Sequence, residues 1–274
     1  MRIPMETGGT DLHADSAFLL IGWDGRVVQW ALGHAGAITK MRKEIASDAA
    51  GVAEICQSIH EQEVEAASVV FHFRHALFSL APALVVRGVE NEVVTLHAGP
   101  GMDIDSVRSF HSDVFGEELV LMERIQNEAW NAVQKVWPQA KLESSSLRWL
   151  EAAVNHSRDE NRPQVYIDLS SHKVLLARFD EGELAWSMVS SDLDGEGVLY
   201  SVVNAMHRDG LAPGADGTHV FLSGDIEEGH DVVLSFRRFF PKVEIFSGWF
   251  DGKIEPAGIK TQQWALLTQM ASCA

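Results

Sequence analysis

Twelve histidines and two cysteines are the side chains best able to ligate a metal or carry a nucleophile in this sequence. Their spacing argues against both. His72 and His75 are three residues apart in a run that reads as extended, which sends their side chains to opposite faces. His111 and Asp113 are two residues apart in a stretch that reads as helical, where such pairs do not face each other. Neither Cys-x-x-Cys nor His-Glu-x-x-His occurs, so no metal site is expected. Ser223 follows an apolar run, as a nucleophilic serine would. Gly-x-Ser-x-Gly is absent, however, and the last histidine, His230, leaves no downstream Asp-then-His order for a hydrolase triad. Cys56 lies on an apolar helical stripe, and Cys273 also reads as a small packing residue rather than a reactive thiol.

Composition narrows the partners. Lys and Arg number 22 against 39 Asp and Glu, a formal charge of −17, so neither nucleic acid nor an anionic membrane surface is an expected partner. Apolar residues make up 46%, enough for a packed core. A length of 274 residues suits two domains of roughly 100–200 residues each. Two cysteines exclude a disulfide framework and fit a reducing cytoplasm. No apolar run approaches the roughly 18 residues that read as a bilayer span, and Met1 to Asp15 lacks the layout of a signal peptide. The expectation is a soluble, acidic, cytoplasmic protein of two lobes, with its oligomeric state open.

The elements that would position a site are clearest in the second half. Gln164 to Leu169, Lys173 to Phe179 and Glu183 to Val189 read as a three-stranded meander, with a tight turn at Asp180-Glu181-Gly182. A helix follows with Leu199, Val202, Val203 and Met206 on one face, capped by Asp192 and ended by Gly210. His219 to Leu222 is a fourth strand, Asp231 to Phe240 a helix stopped by Pro241, and Val243 to Phe246 a fifth strand. Strand, strand, strand, helix, strand, helix, strand is the half-unit of the actin-like and ribonuclease-H-like folds. The first half supplies a partial repeat. Ala17 to Ile21, the turn Trp23-Asp24-Gly25 and Arg26 to Leu32 mirror the second-half hairpin, with Trp30 and Trp186 in matching places. A helix capped near Asp48 and a strand from Glu65 to Phe73 follow. The third meander strand is not placed; it has to come from the first 15 residues or from the weak stretch after Leu32.

Between the half-units lies further material. Phe78 to Val86, Glu92 to Leu96 and Glu118 to Met122 read as strands, Asp103 to Val114 as a helix, and Asn127 to Trp137 and Ser146 to Asn155 as helices. His156 to Pro163 is polar and reads as the boundary. The expected fold class is α/β: two actin-like, ribonuclease-H-like lobes with mixed five-stranded sheets flanked by helices. They occupy residues 1–158 and 163–274, the first lobe degenerate or carrying an extra segment at about 78–124.

Four stretches resemble a bacterial family of unknown function, best populated in Bacteroidetes, with an actin-like ATPase fold. Phe78-Ser79-Leu80-Ala81-Pro82 is similar to its Phe-Thr-Leu-Val-Pro segment, and Val165 to Gly182 to its strand-strand-Asp-Gly meander. Leu222-Ser223-Gly224-Asp225-Ile226 is similar to its Leu-Ser-Gly-Glu-Ile. The run from Phe250 through Asp251, Glu255, Pro256, Leu266, Leu267 and Cys273 is similar to its closing segment. The resemblance is collinear from about Ala17 onward; it implies the fold and no activity.

The wider superfamily holds nucleotide with two phosphate loops, each an Asp followed by Gly and small hydroxyl residues, and a later glycine pair that passes the nucleoside. Carried over, the second phosphate loop is Asp168-Leu169-Ser170-Ser171-His172, with Asp168 as the acidic group and Ser170 and Ser171 as donors. Leu169 and Ser170 stand where glycine is expected, so close backbone approach to a phosphate is obstructed. The first loop is Gly22-Trp23-Asp24-Gly25 or Glu6-Thr7-Gly8-Gly9-Thr10, and the nucleoside position is Ser223-Gly224-Asp225, where a carboxylate replaces the second glycine. An ordinary reading competes at each: hairpin turns whose Asp and Ser satisfy backbone groups, and a glycine closing a strand. Trp249 and Phe250 sit in a Gly-flanked turn and read either as buried spacers or as an exposed partner anchor. The expectation is a non-catalytic interaction or scaffold module with degenerate nucleotide loops, a protein partner and no cofactor. The alternative is an ATP-binding phosphotransferase or ATPase that uses Mg-ATP, with Asp168 as its catalytic acid.

Overall fold

The structure is a computed structural model that describes residues 17–34, 36–62, 66–89, 92–93, 107–115, 118–160, 162–212 and 217–274. The Glu6–Thr10 alternative and most of the 92–96 strand expectation lie outside these residues.

β1 (Phe18–Trp23), β2 (Val27–His34) and β3 (Ala37–Ile45) form an antiparallel meander, followed by α1 (Ala49–Glu61) and then β4 (Ser68–Phe73), parallel to β1. The Asp48 side chain accepts from the Gly51 amide and caps α1, as expected. The missing meander strand is β3, the weak stretch after Leu32. Next come β5 (Phe78–Pro82), the single turn α2 (Ala83–Val86), β6 (Val107–Ser112) and β7 (Leu119–Arg124), which make a separate antiparallel sheet in the order β5-β7-β6. α3 (Asn127–Val136) and β8 (Lys141–Leu142) return to the first sheet, and α4 (Ser145–Arg158) leads to the second.

The second sheet comprises β9 (Gln164–Leu169), β10 (Val174–Asp180), β11 (Glu183–Ser190), α5 (Gly195–Arg208), β12 (His219–Gly224), α6 (Asp231–Phe239) and β13 (Lys242–Ile245). Its strand order, β11-β10-β9-β12-β13, repeats β3-β2-β1-β4-β8 of the first. The chain then crosses back. β14 (Lys253–Ile254) pairs with β3 as a sixth strand, and α7 (Ala265–Gln269), between 3₁₀ turns at Thr261–Trp264 and Met270–Cys273, packs beneath the first sheet.

Alternation along the central strands builds the layers. Leu19, Ile21 and Trp23 of β1 face α1 and α3, whereas Phe18 and Leu20 face Trp264, Leu267 and Met270. In β9, Val165, Ile167 and Leu169 pack on α5 and α6, and Tyr166 packs on α4. Both strands are buried along their full length, which is why they read as continuous apolar runs.

Three local expectations are corrected. The expected helix over 103–114 is a strand where it is described, from Val107: β6 pairs with β7 over all six of its residues, and sheet pairing outweighs the helical spacing of Val107 and His111. Phe78 to Val86 is a strand only to Pro82, whose φ of −57° starts the turn α2. The cap of α5 is Asp194, which accepts from the Gly197 amide at 2.8 Å, not Asp192. Trp249 is half-buried and packs as a spacer: it meets Trp149 edge-on, and its ring also meets Tyr166 and Phe246.

Candidate functional site

The two hairpins that mirror each other in sequence meet in space. Asp24 ends β1, and its Oδ1 accepts the Arg26 and Val27 amides at 2.9 and 2.8 Å, closing the first turn. Oδ2 faces the second hairpin, accepting a long bond from the Ser171 hydroxyl at 3.4 Å, with His172 Nδ1 at 4.0 Å. Arg74, just past β4, sets a guanidinium nitrogen 3.8 Å from the same oxygen. Burial pushes the Asp24 carboxyl up, but Arg74 and the two amides outweigh it and hold the group below the usual carboxylate range. Burial likewise lowers His172.

Within the second hairpin, Ser170 is a turn residue. Its hydroxyl donates to the Lys173 carbonyl and accepts the Lys173 amide, both at 3.1 Å. Asp168 is fully buried at the end of β9. β12 runs parallel beside it in a register that sets Ser223 opposite, so the Ser223 hydroxyl donates to Asp168 Oδ2 at 2.6 Å. From the other side His75 places Nε2 2.9 Å from Oδ1 and 3.0 Å from the Asp168 carbonyl. His75 reaches there with φ at +51°, a left-handed conformation uncommon outside glycine.

Gly224 has φ at +89°, and a Cβ there would lie 2.0 Å from the Leu169 carbonyl oxygen, so β12 can approach β9 only with glycine at this place. Asp225 turns the other way. It pairs with Lys43 of β3 at 2.6 Å, joining the two sheets. Below these groups His72 is enclosed against Gly22, where a Cβ would lie 2.5 Å from its ring. Burial first, then Arg74 and His75, lower His72 to about 3, so it is neutral.

Of the sequence candidates, Asp168 and Ser223 therefore touch, Ser170 and Ser171 form the adjoining turn, Gly224 packs on Leu169, and Asp225 faces the opposite lobe. Asp24, which reads as part of a first phosphate loop or of an ordinary turn, belongs to the same cluster. His75, Arg74 and Lys43 were not singled out as site residues. Asp-Gly marked the first turn, but nothing in the sequence announces a histidine at positive φ or a lysine reaching from an edge strand.

No family model matches the chain, and no curated protein matches it in sequence. Solved structures do. A Bacteroides thetaiotaomicron protein with an actin-like ATPase fold and unknown function superposes with a TM-score of 0.71 at 13% identity, over 93% of this chain and 96% of that one. The fold is that of the actin-like ATPases. The likeness to the PilM–PilN type IV pilus biogenesis complex has a TM-score of 0.62 at 14% identity, over 92% of this chain and 97% of the other. For the cytoplasmic domain of EpsL, an inner-membrane component of the Vibrio cholerae type II secretion system, the values are 0.52, 11%, 94% and 96%. The actin-like fold thus spans nearly the whole chain. No helix among the described residues is long and apolar enough to cross a membrane.

Proposed function

We propose that this chain is a non-catalytic actin-like module, working in the cytoplasm, that acts by binding another protein. One observation carries the reading: Asp168, which would have to face Mg-ATP, is fully buried and engaged by Ser223 and His75. A carboxylate that holds Mg²⁺ through water needs open oxygens and room for a hydrated ion. Around it, Ser171 of one hairpin leans on Asp24 of the other. At the nucleoside position the Lys43–Asp225 pair spans the two lobes. The structural neighbours support a binding role at the level of fold: one is part of a pilus biogenesis complex and one is a component of a secretion system. The acidic composition and the two unpaired cysteines support the location. Calorimetric titration of the full chain with Mg-ATP tests this. The expected result is no saturable heat up to millimolar nucleotide; micromolar binding would overturn it and favour the ATP-binding phosphotransferase or ATPase.

A further inference from the structure

A protein with a formal charge of −17 gathers three cations around one cavity. The cavity, about 220 Å³, opens beside the first hairpin where β4, β7 and the start of β10 converge, and Arg74, Arg124 and Lys173 line it. Arg74 is 2% exposed, and its Nε and Nη1 have no hydrogen-bond partner. Its one ion-pair neighbour, Asp24, lies 3.8 Å away with its other oxygen already bound to two amides. The side chains of Arg124 and Lys173 make no hydrogen bond or salt bridge to any described residue. A buried guanidinium with unmet donors is costly unless something supplies acceptors. The carboxylate that acts most strongly on Lys173 is Asp24, which also lines the cavity; Glu123 acts more weakly. Burial pushes Glu123 up to about 8, against hydroxyl bonds from Ser144 and Ser146, so Asp24 is the one lining carboxylate set against the three cations. Phe73 and Leu77 share the lining, giving the cavity an apolar part beside its cationic one.

We propose that this cavity is the docking pocket for an acidic side chain of the partner polypeptide, an Asp or Glu flanked by an apolar residue. The proposal rests on the reading of the chain as a protein-binding module and names the chemistry that the partner presents. A carboxylate supplies two oxygens to match the fork of Arg74, and the neighbouring apolar side chain covers Phe73 and Leu77. A free oxyanion would meet the cations and leave the apolar lining bare.

The probe is the dipeptide N-acetyl-Leu-Glu-amide, titrated into the isotope-labelled full chain and followed by NMR at the backbone amides of Gly25 and Leu77. Saturable shifts with a millimolar Kd are expected, at least fivefold weaker for N-acetyl-Leu-Gln-amide and for Arg124→Gln. That variant changes an exposed side chain and keeps the test valid where the buried Arg74→Gln fails to fold. Equal response to the Glu and Gln peptides, no saturable shift, or no effect of Arg124→Gln would overturn the proposal. So would inorganic phosphate that binds more tightly than the Glu peptide, which would assign the cavity to a free oxyanion. A chain that binds neither the dipeptide nor Mg-ATP overturns this proposal alone. One that binds both overturns only the non-catalytic reading.

Discussion

Asp168 is met from two directions inside the protein, by Ser223 on one oxygen and by His75 near the other. Its removal takes the shorter of two acceptors from Ser223 and the carboxylate from beside His75, and leaves a gap in a fully buried place. Asp168→Ala is expected to cost roughly 2–4 kcal/mol in urea unfolding. A carboxylate kept for ligand chemistry in an open cleft would cost little, so a loss near zero would contradict the structural role. Glu123 makes a second prediction, for pH. Its folded value of about 8 lies above the ordinary 4.5, so the folded chain binds that proton more tightly than the unfolded chain does. The stability this contributes is full below about pH 4.5 and is lost as pH rises toward 8. Urea midpoints of the wild type should therefore fall relative to Glu123→Gln across that window; a pH-independent difference would show a carboxylate charged throughout. At this scale the sequence was legible in part. Asp168, Ser223 and Asp225 are placed by the resemblance to the superfamily's loops, at turns that follow apolar runs. His75 and Arg74 are not, since their roles arise where β4 ends: His75 meets Asp168 of the other lobe, nearly a hundred residues away along the chain, and Arg74 meets Asp24 at the end of the neighbouring strand.

The elements were legible where burial is two-sided. β9 matches its expected bounds of Gln164 to Leu169 because a central strand is apolar on both faces. β3 was not, because Ala37–Ile45 (AITKMRKEI) carries four charged side chains beside a sheet edge and lacks the alternation of a half-buried strand. β6 misled in the opposite direction. Its inward Phe110 and Ser112 are supplied by pairing with β7, while its remaining residues mimic a helical stripe. The returning segment was legible as residues and not as a place: Leu266 and Leu267 are similar to a closing segment, with no signal that Leu267 serves the first sheet and Leu266 the second. Leu267 is fully buried among Phe18, Leu20 and Val70. Leu267→Ala is expected to destabilise the chain by about 2–5 kcal/mol, seen as a lower urea midpoint.

The two lobes are joined by more than the covalent link at α4. The returning segment touches both: Gln29 of β2 donates to the Gln263 carbonyl at 3.1 Å, and Gln262 donates to the Ile226 carbonyl beyond β12 at 3.2 Å. With Lys43–Asp225 and His75–Asp168 added, the sheets share buried and half-buried polar links on both sides of the hairpins. One cooperative unfolding transition is therefore expected by both circular dichroism and tryptophan fluorescence. Midpoints that differ between the two probes would show lobes that unfold separately. The crossing of residues 253–271 also sets an order on biogenesis. The ribosome delivers β1 to β8 first, with Phe18, Leu20 and Val70 facing nothing, and these side chains are covered only after the whole second sheet has been made. Until then the emerging chain presents an apolar sheet face, a surface that chaperones bind and that invites aggregation.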